Sequence, residues 1–339
     1  MSSSTQVRIP AVETELVDIP DTGLKVSRVA LGTWAMGGWM WGGTDQRESI
    51  DTIHAALHQG INLIDTAPVY GFGVSEEIVG AALEGVRTQV VIATKVGLES
   101  RDGKIYRNTS RERIMQEIDD SLRRLRTDYI DIYQVHWPDS RVPVEETAEA
   151  MRSLYEQGKI RAIGVSNFSV AQMERFRKVA PLHVLQPPYN LFERDIEAEI
   201  LPYCRANHIA TFGYGALCRG LLSGRMRPDT QFEGDDLRRT DPKFQPPRFA
   251  QYLDAVRQLD ELAQRRFQRR VIHLAVRWML DRGISVALWG GRHPDQVEAA
   301  LGVAGWSLNR TDREMIERIV NSAVIDPVGP EFMAPLERA

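Results

Sequence analysis

An aspartate, a tyrosine, a lysine and a histidine stand at or just beyond the ends of three apolar runs in this sequence. Asp65 lies in Ile61-Asn-Leu-Ile-Asp-Thr66, and Tyr70 follows it. Lys95 ends Val90-Val-Ile-Ala-Thr-Lys95, and His136 ends Tyr129-Ile-Asp-Ile-Tyr-Gln-Val-His136. A phenol ionises near pH ~10, which makes it a poor proton shuttle at neutrality. A neighbouring ammonium stabilises the phenolate, and a carboxylate holds the ammonium in place. Asp65, Lys95 and Tyr70 thus compose a relay able to protonate a developing alkoxide, with His136 orienting the oxygen. Singly, each has a plainer use: Asp65 as a turn cap, Tyr70 as a packed aromatic, His136 as a core histidine. Jointly they favour chemistry, because a lysine at a buried strand end must be paired or costs free energy.

Such groups converge only if their strands are neighbours running the same way, and the chain carries that pattern. Apolar runs alternate with amphipathic segments: 29–33 then 46–59, 61–66 then 75–84, 90–95 then 110–126, 129–136 then 144–157. Further runs at 160–165, 184–186, 209–213 and 285–288, the last followed by a helical segment at 295–301, complete eight strand–helix units. The expected fold is α/β, a (β/α)8 TIM barrel whose site lies where the strands end. Neighbouring strands lie about 4.8 Å apart, close enough to bring the four groups to one substrate atom. Gly60, Gly158 and Gly283 fall where left-handed helix ends are wanted, and Ser110 where a helix begins. Asp21-Thr-Gly between short apolar runs predicts an N-terminal β-hairpin over 15–27. The segment 219–247, rich in glycine, proline and charge, predicts a long functional loop or lid. The proline-rich tail from Asp326 is expected to lie across one barrel face. With no low-complexity linker, residues 1–339 are read as a single domain.

Composition narrows the function classes. The chain has 339 residues, 43% hydrophobic and 26% charged, with 42 Lys and Arg against 46 Asp and Glu for a net charge of −4. That balance argues against nucleic-acid or membrane partners. The two cysteines, Cys204 and Cys218, are too few for a disulfide framework, and no metal-ligand spacing occurs. The first residues, Met1-Ser-Ser-Ser-Thr-Gln, lack a signal peptide's features, and no apolar run is long enough to span a bilayer. A cytoplasmic protein is expected.

Over nearly its whole length the sequence resembles the aldo-keto reductase superfamily. Asp65-Thr-Ala-x-x-Tyr70-Gly, Thr94-Lys95 and Gln134-x-His136 are similar to the family's catalytic motifs. The resemblance implies a barrel that binds NADP(H) without a Rossmann fingerprint, with Tyr70 as proton donor, Lys95 and Asp65 tuning it, and His136 orienting substrate. It also implies cofactor residues. Gly32-Thr33-Trp34 and Asp65 would lie near the nicotinamide ribose, Ser166, Asn167 and Gln186 at the carboxamide, and Tyr214 against the ring. Gly215 and the stretch Leu217-Cys-Arg-Gly-Leu-Leu-Ser-Gly-Arg225 resemble the pyrophosphate loop, which nominates Leu217, Arg219, Gly220 and Arg225. Gly290-Gly-Arg-His-Pro-Asp-Gln296 resembles the adenosine 2′-phosphate loop, nominating Gly290, Gly291, Arg292 and Gln296. Arg292 is the choice for the phosphate, since a guanidinium contacts it bidentately and a helix N-terminus adds favourable dipole. Gln296, where many relatives carry arginine, implies a weakened NADP preference.

Tyr133-Gln-Val-His-Trp-Pro-Asp139, Gln186-Pro-Pro-Tyr-Asn-Leu-Phe192, Phe232-Glu-Gly-Asp-Asp-Leu237 and Asp326-Pro-Val-Gly-Pro-Glu-Phe-Met-Ala334 resemble a bacterial group of general stress reductases and an NADP-dependent glycerol dehydrogenase. That implies a small carbonyl or polyol substrate of the glyceraldehyde/glycerol type, and family precedent implies a monomer. Trp34, Met36, Trp39, Met40, Trp41 and Trp137 would make a narrow pocket, with Trp34, Tyr70, His136 and Trp137 touching substrate. Trp39 and Trp41 have an alternative place beneath the N-terminal hairpin. The rival function is a slow NADP(H)-sensing regulatory subunit of the same fold, and a phosphate-binding aldolase or isomerase barrel ranks third.

Overall fold

Strands buried on both faces read as unbroken apolar runs, and here such runs assemble the centre of the molecule. A computed structural model describes residues 14–338; the expectation placed on residues 1–6 lies outside them. In chain order the regular elements are β1 (Leu16–Ile19), β2 (Leu24–Ser27), β3 (Val29–Gly32), α1 (Gln46–His58), β4 (Leu63–Asp65), α2 (Val74–Ala82), β5 (Val91–Val96), β6 (Leu98–Arg101) and β7 (Lys104–Arg107). Then come α3 (Arg111–Leu125), β8 (Ile130–Val135), α4 (Val144–Glu156), β9 (Ile160–Ser166), α5 (Val170–Arg177), β10 (Val184–Gln186), α6 (Ile200–Ala206) and β11 (Ala210–Gly213). The last are α7 (Arg248–Phe267), α8 (Val271–Asp281), β12 (Val286–Gly290), α9 (Pro294–Glu298) and α10 (Arg310–Ala323). Strands β3, β4, β5, β8, β9, β10, β11 and β12 close into a barrel, parallel throughout, β12 pairing back onto β3. This is the expected (β/α)8 architecture.

Side chains alternate across a strand, so one parity fills the barrel and the other meets the helices. Ala30, Leu63, Ala93, Ile132, Ala162, Val184, Phe212 and Leu288 pack inside. Leu31, Ile64, Ile92, Tyr133, Ile163 and Leu185 pack outside. Carried toward the strands' C-terminal ends, the inward parity delivers Asp65, Lys95, Gln134, Ser166, Gln186 and Tyr214. A slip of one residue would turn a strand's contribution outward. The β1–β2 hairpin drives Ile19, Leu24 and Val26 into the same inner cluster, sealing the opposite end.

Ser110 caps α3 by accepting from the Arg113 backbone N–H, as its position predicted. Gly60, Gly158 and Gly283 end their helices at φ +80, +73 and +102. Three features differ from expectation. The helical segment read over 295–301 is a five-residue α9 that tightens into a 3-10 turn at Ala299. Strand β12 runs on through Trp289 and Gly290. A β6–β7 hairpin stands beside the mouth, its turn built on Asp102 and Gly103, both at positive φ. Among the described residues, no helix is long and apolar enough to cross a membrane.

Candidate active site

Strand β4 places Asp65 at the barrel mouth, and β5, its neighbour, places Lys95. Both are buried, and Lys95 Nζ donates to Asp65 Oδ2 at 2.7 Å and to the Thr66 carbonyl at 2.9 Å. The loop after β4 brings the Tyr70 hydroxyl to 3.3 Å from the same Nζ. Gly37 and Gly71 allow that approach: a Cβ on Gly37 would lie 2.5 Å from the Tyr70 carbonyl carbon. The His136 ring stands edge-on to Tyr70 with centroids 5.9 Å apart. All four predicted catalytic groups therefore meet at one rim.

Burial dominates their ionisation. It raises the Tyr70 phenol well above its ordinary value, with the Asp65 charge pushing the same way. Burial also lowers Lys95, partly offset by Asp65. These directions correct the expectation that the ammonium would leave Tyr70 depressed: burial and then the Asp65 charge both raise it, and the group rests as a neutral phenol. His136 is held well below its ordinary range by burial and then by the Lys95 charge, so it presents a neutral imidazole. A neutral phenol and a neutral imidazole side by side can donate hydrogen bonds to one oxygen and pass it a proton.

Above this floor opens a cavity of about 810 Å³ that runs from the catalytic rim to the β12 end. Trp34 stacks on Tyr70 at 5.9 Å, and Trp41 meets Trp34 edge-on at 5.4 Å. Trp39 packs on Phe72 at 4.9 Å. Both Trp39 and Trp41 thus line the mouth, at the opposite end from the hairpin that was their alternative place. Met36 is fully buried in the outer core instead of the pocket. Trp137 lines the cavity beneath the Arg107 guanidinium at 5.1 Å.

The nominated cofactor residues Gly32, Thr33, Trp34, Ser166, Asn167, Tyr214, Gly215, Leu217, Gly220, Gly290 and Gly291 all line this cavity. Ser166 Oγ donates to the Gln186 carbonyl at 2.6 Å, and Tyr214 OH donates to Asn167 Oδ1 at 3.0 Å. Thr33 spends its hydroxyl on the Asp65 carbonyl and Ser75. Gln186 turns its Nε2 to Asp65 Oδ1 at 2.8 Å and to Gln134 Oε1 at 3.4 Å, so only its Oε1 is left for a ligand. Arg219 also lines the cavity. Its guanidinium is buried in ion pairs with Glu193 and Asp241, so it pins the loop. Arg225 pairs with Asp295 at 3.3 Å. Arg292 Nη1 donates to the Trp41 and Gly43 carbonyls, and Gln296 Oε1 accepts from the Arg292 backbone N–H at 3.0 Å. The short α9 adds little dipole at this point.

The segment 219–247 crosses the cavity as a latched strap. Asp235 accepts from the Met40 and Gly42 N–H groups at 2.8 and 3.1 Å, and Leu237 N–H donates to the Met40 carbonyl at 3.0 Å. The tail also reaches the mouth: Leu336 bridges to Tyr106 on β7, and Phe332, Met333 and Pro335 line the cavity. Sequence reasoning missed the β6–β7 hairpin wall, Arg238 and Arg270, all of which line the cavity. The Asp102-Gly103 pair, a strong hairpin signal, was legible. No pattern marked the two arginines.

The cavity suits a dinucleotide. It is long, it carries guanidinium groups from Arg225, Arg270 and Arg292 at the β12 end, and its strand ends Gly32 and Gly290 leave room where a Cβ would stand. Among the described residues, the buried Trp41 Nε1 has no hydrogen-bond partner.

The chain is similar to known proteins over most of its length. The description "Aldo/keto reductase family" matches residues 28–321. The chain is 60% identical to the aldo-keto reductase YhdN of Bacillus subtilis, over 96% of this chain and 99% of that protein. It is 36% identical to the NADH-specific methylglyoxal reductase of Escherichia coli, over 89% and 98%. Among solved structures it is similar to the glycerol dehydrogenase AKR11B4 from Gluconobacter oxydans, with 51% identity, TM-score 0.86 and coverage of 95% and 100%. An aldo/keto reductase from Klebsiella pneumoniae in complex with NADP and acetate aligns at 27% identity and TM-score 0.69, covering 88% and 93%.

Proposed function

This chain belongs to the aldo/keto reductase family, and from that premise we propose that it is an NADP(H)-dependent oxidoreductase interconverting small aldehydes or ketones with alcohols or polyols of the glyceraldehyde/glycerol kind. The observation that carries the reading is the contact of Tyr70 OH with Lys95 Nζ at 3.3 Å, itself on Asp65 at 2.7 Å, on the floor of a large groove.

The nicotinamide, when bound, supplies or accepts the hydride at carbon. Ser166, Asn167 and the Oε1 of Gln186 would hold its carboxamide and Tyr214 would offer its ring to the nicotinamide, with the strap covering the middle of the groove. Arg225, Arg270 and Arg292 are the groups available to its phosphates. The Tyr70 hydroxyl and the His136 ring bind the carbonyl oxygen. As negative charge grows on that oxygen, Tyr70 donates its proton, and the buried Lys95 ammonium stabilises the phenolate left behind. Asp65 keeps Lys95 aimed at Tyr70. Alcohol oxidation runs the same proton path backward.

Support for NADP(H) comes from the Klebsiella pneumoniae complex, and support for a polyol from the Gluconobacter oxydans relative. The rival, a slow cofactor sensor, draws on the latched strap, which would delay cofactor release. NADPH oxidation with glyceraldehyde, measured beside Tyr70→Phe, separates the two. An enzyme turns over many times and loses about 10²–10⁴-fold in kcat on losing the hydroxyl. A sensor binds NADPH with negligible turnover in both proteins.

A further inference from the structure

The proposed reaction gives no task to Gln134, a fully buried amide inside the barrel. Register sets it beside Lys95 on β5 and Gly164 on β9. Its Nε2 donates to Asp65 Oδ1 at 3.4 Å, and its Oε1 accepts from Gln186 Nε2 at 3.4 Å. Gln186 Nε2 also donates to Asp65 Oδ1 at 2.8 Å, while Lys95 holds Oδ2.

Donor and acceptor logic then fixes every orientation. An ionised carboxylate only accepts, so both amides must turn their nitrogens toward Asp65. Gln186 is left presenting Oε1 to the groove, and Gln134 secures that choice by taking a second hydrogen bond from the same Nε2. Flipping Gln186 would set its oxygen against Asp65. The barrel makes room for this amide: a Cβ at position 164 would come within 2.7 Å of Gln134 Cγ and 3.3 Å of Val184 Cβ. A buried amide costs free energy unless it is hydrogen-bonded, and Gln134 bonds through both its nitrogen and its oxygen within this unit.

We propose that Gln134 is a positioning residue for hydride transfer, joining Asp65 and Gln186 in one hydrogen-bonded unit. Through it the proton relay and the acceptor offered to the nicotinamide carboxamide are aligned together. The proposal rests on the reductase reading, and wild-type turnover of NADPH with glyceraldehyde tests that reading separately.

The test is Gln134→Leu, similar in size but unable to hydrogen-bond, with thermal melting as the control for folding. The expected result is a fall in kcat of about tenfold, with KM for glyceraldehyde within about twofold and the NADPH dissociation constant raised about threefold. With deuterium at the transferred C4 position of NADPH, the isotope effect on kcat should rise, because misaligned hydride transfer becomes rate-limiting. A purely structural role would reduce the active fraction and leave the isotope effect and NADPH affinity unchanged. Gly164→Ala, which displaces the Gln134 side chain while keeping it, should reproduce the same pattern and stands in if the leucine variant does not fold. If both measurements match wild type in whichever variants fold, the proposal is overturned. Should the wild type not turn over, NADPH titration of wild type against Gln134→Leu still decides it: equal affinities reject the role.

Discussion

At the Tyr70 hydroxyl, burial and the neighbouring Asp65 charge set which direction of reaction each pH favours. Burial, reinforced by Asp65, holds the phenol above its ordinary value, so Tyr70 is protonated at neutral pH and ready to donate. His136, lowered by burial and then by Lys95, does not gain a charge near neutrality. Carbonyl reduction should therefore be flat between about pH 6 and 9, because both donors keep their protons and neither titrates there. Alcohol oxidation needs the phenolate and should climb with pH through about 10 and beyond. Initial rates in both directions across that range check the sign; an oxidation rate that levels near pH 7 contradicts it. Trp137 sits beside His136 in the cavity wall. Trp137→Ala should change the ratio of kcat/KM between bulky and short aldehydes by about tenfold while leaving NADPH affinity within about twofold. Equal losses for all aldehydes would remove Trp137 from the substrate wall.

The elements around the mouth act through their attachments. The strap is held to the loop after β3 by Asp235, and to the body by Arg219, which is buried between Glu193 and Asp241. Lys243, also fully buried, pairs with Glu193 at 2.8 Å and donates to the Gly329 carbonyl, tying strap to tail. Removing one member of such a buried cluster strands the others and is strongly destabilising. The exposed latch is a gentler lever. Asp235→Ala should speed NADP(H) release about five- to tenfold, measured by stopped-flow fluorescence, without altering the isotope effect on hydride transfer. Unchanged release would mean the strap is not what retains the cofactor. On the other side, Arg107 donates to the Pro335 carbonyl and pairs with Glu337, fastening the tail to β7 and completing the substrate wall.

For the whole molecule, a barrel plugged at one end by β1–β2 and opened at the other confines the chemistry to one face. A ligand that fills the mouth contacts several β–α loops, the strap and the tail at once. Binding only the folded state, NADPH at about 100 times its dissociation constant should add about 2.7 kcal/mol of stability. The melting temperature should rise accordingly, and by more than with NADH at equal concentration. Equal shifts would show that Arg225, Arg270 and Arg292 do not read the 2′-phosphate, in line with the weakened preference that Gln296 implies.

The strand–helix alternation, the glycine helix ends and the place of Asp65, Lys95 and His136 at strand ends were legible because they depend on local periodicity and turn chemistry. Asp21-Thr-Gly was read as a hairpin on the same grounds, and Asp102-Gly103 carried an equally local signal that was missed. Contacts between distant segments were decided only by closure of the barrel. Arg219 lines the cavity, but only folding could show its guanidinium committed to Glu193 and Asp241. Gln186 looked free for a carboxamide until β4 and β10 faced one another across the interior, with Gln134 beside them. Tyr70 looked activated until burial raised it. Each outcome turns on dielectric surroundings and partner geometry, which no window of sequence contains.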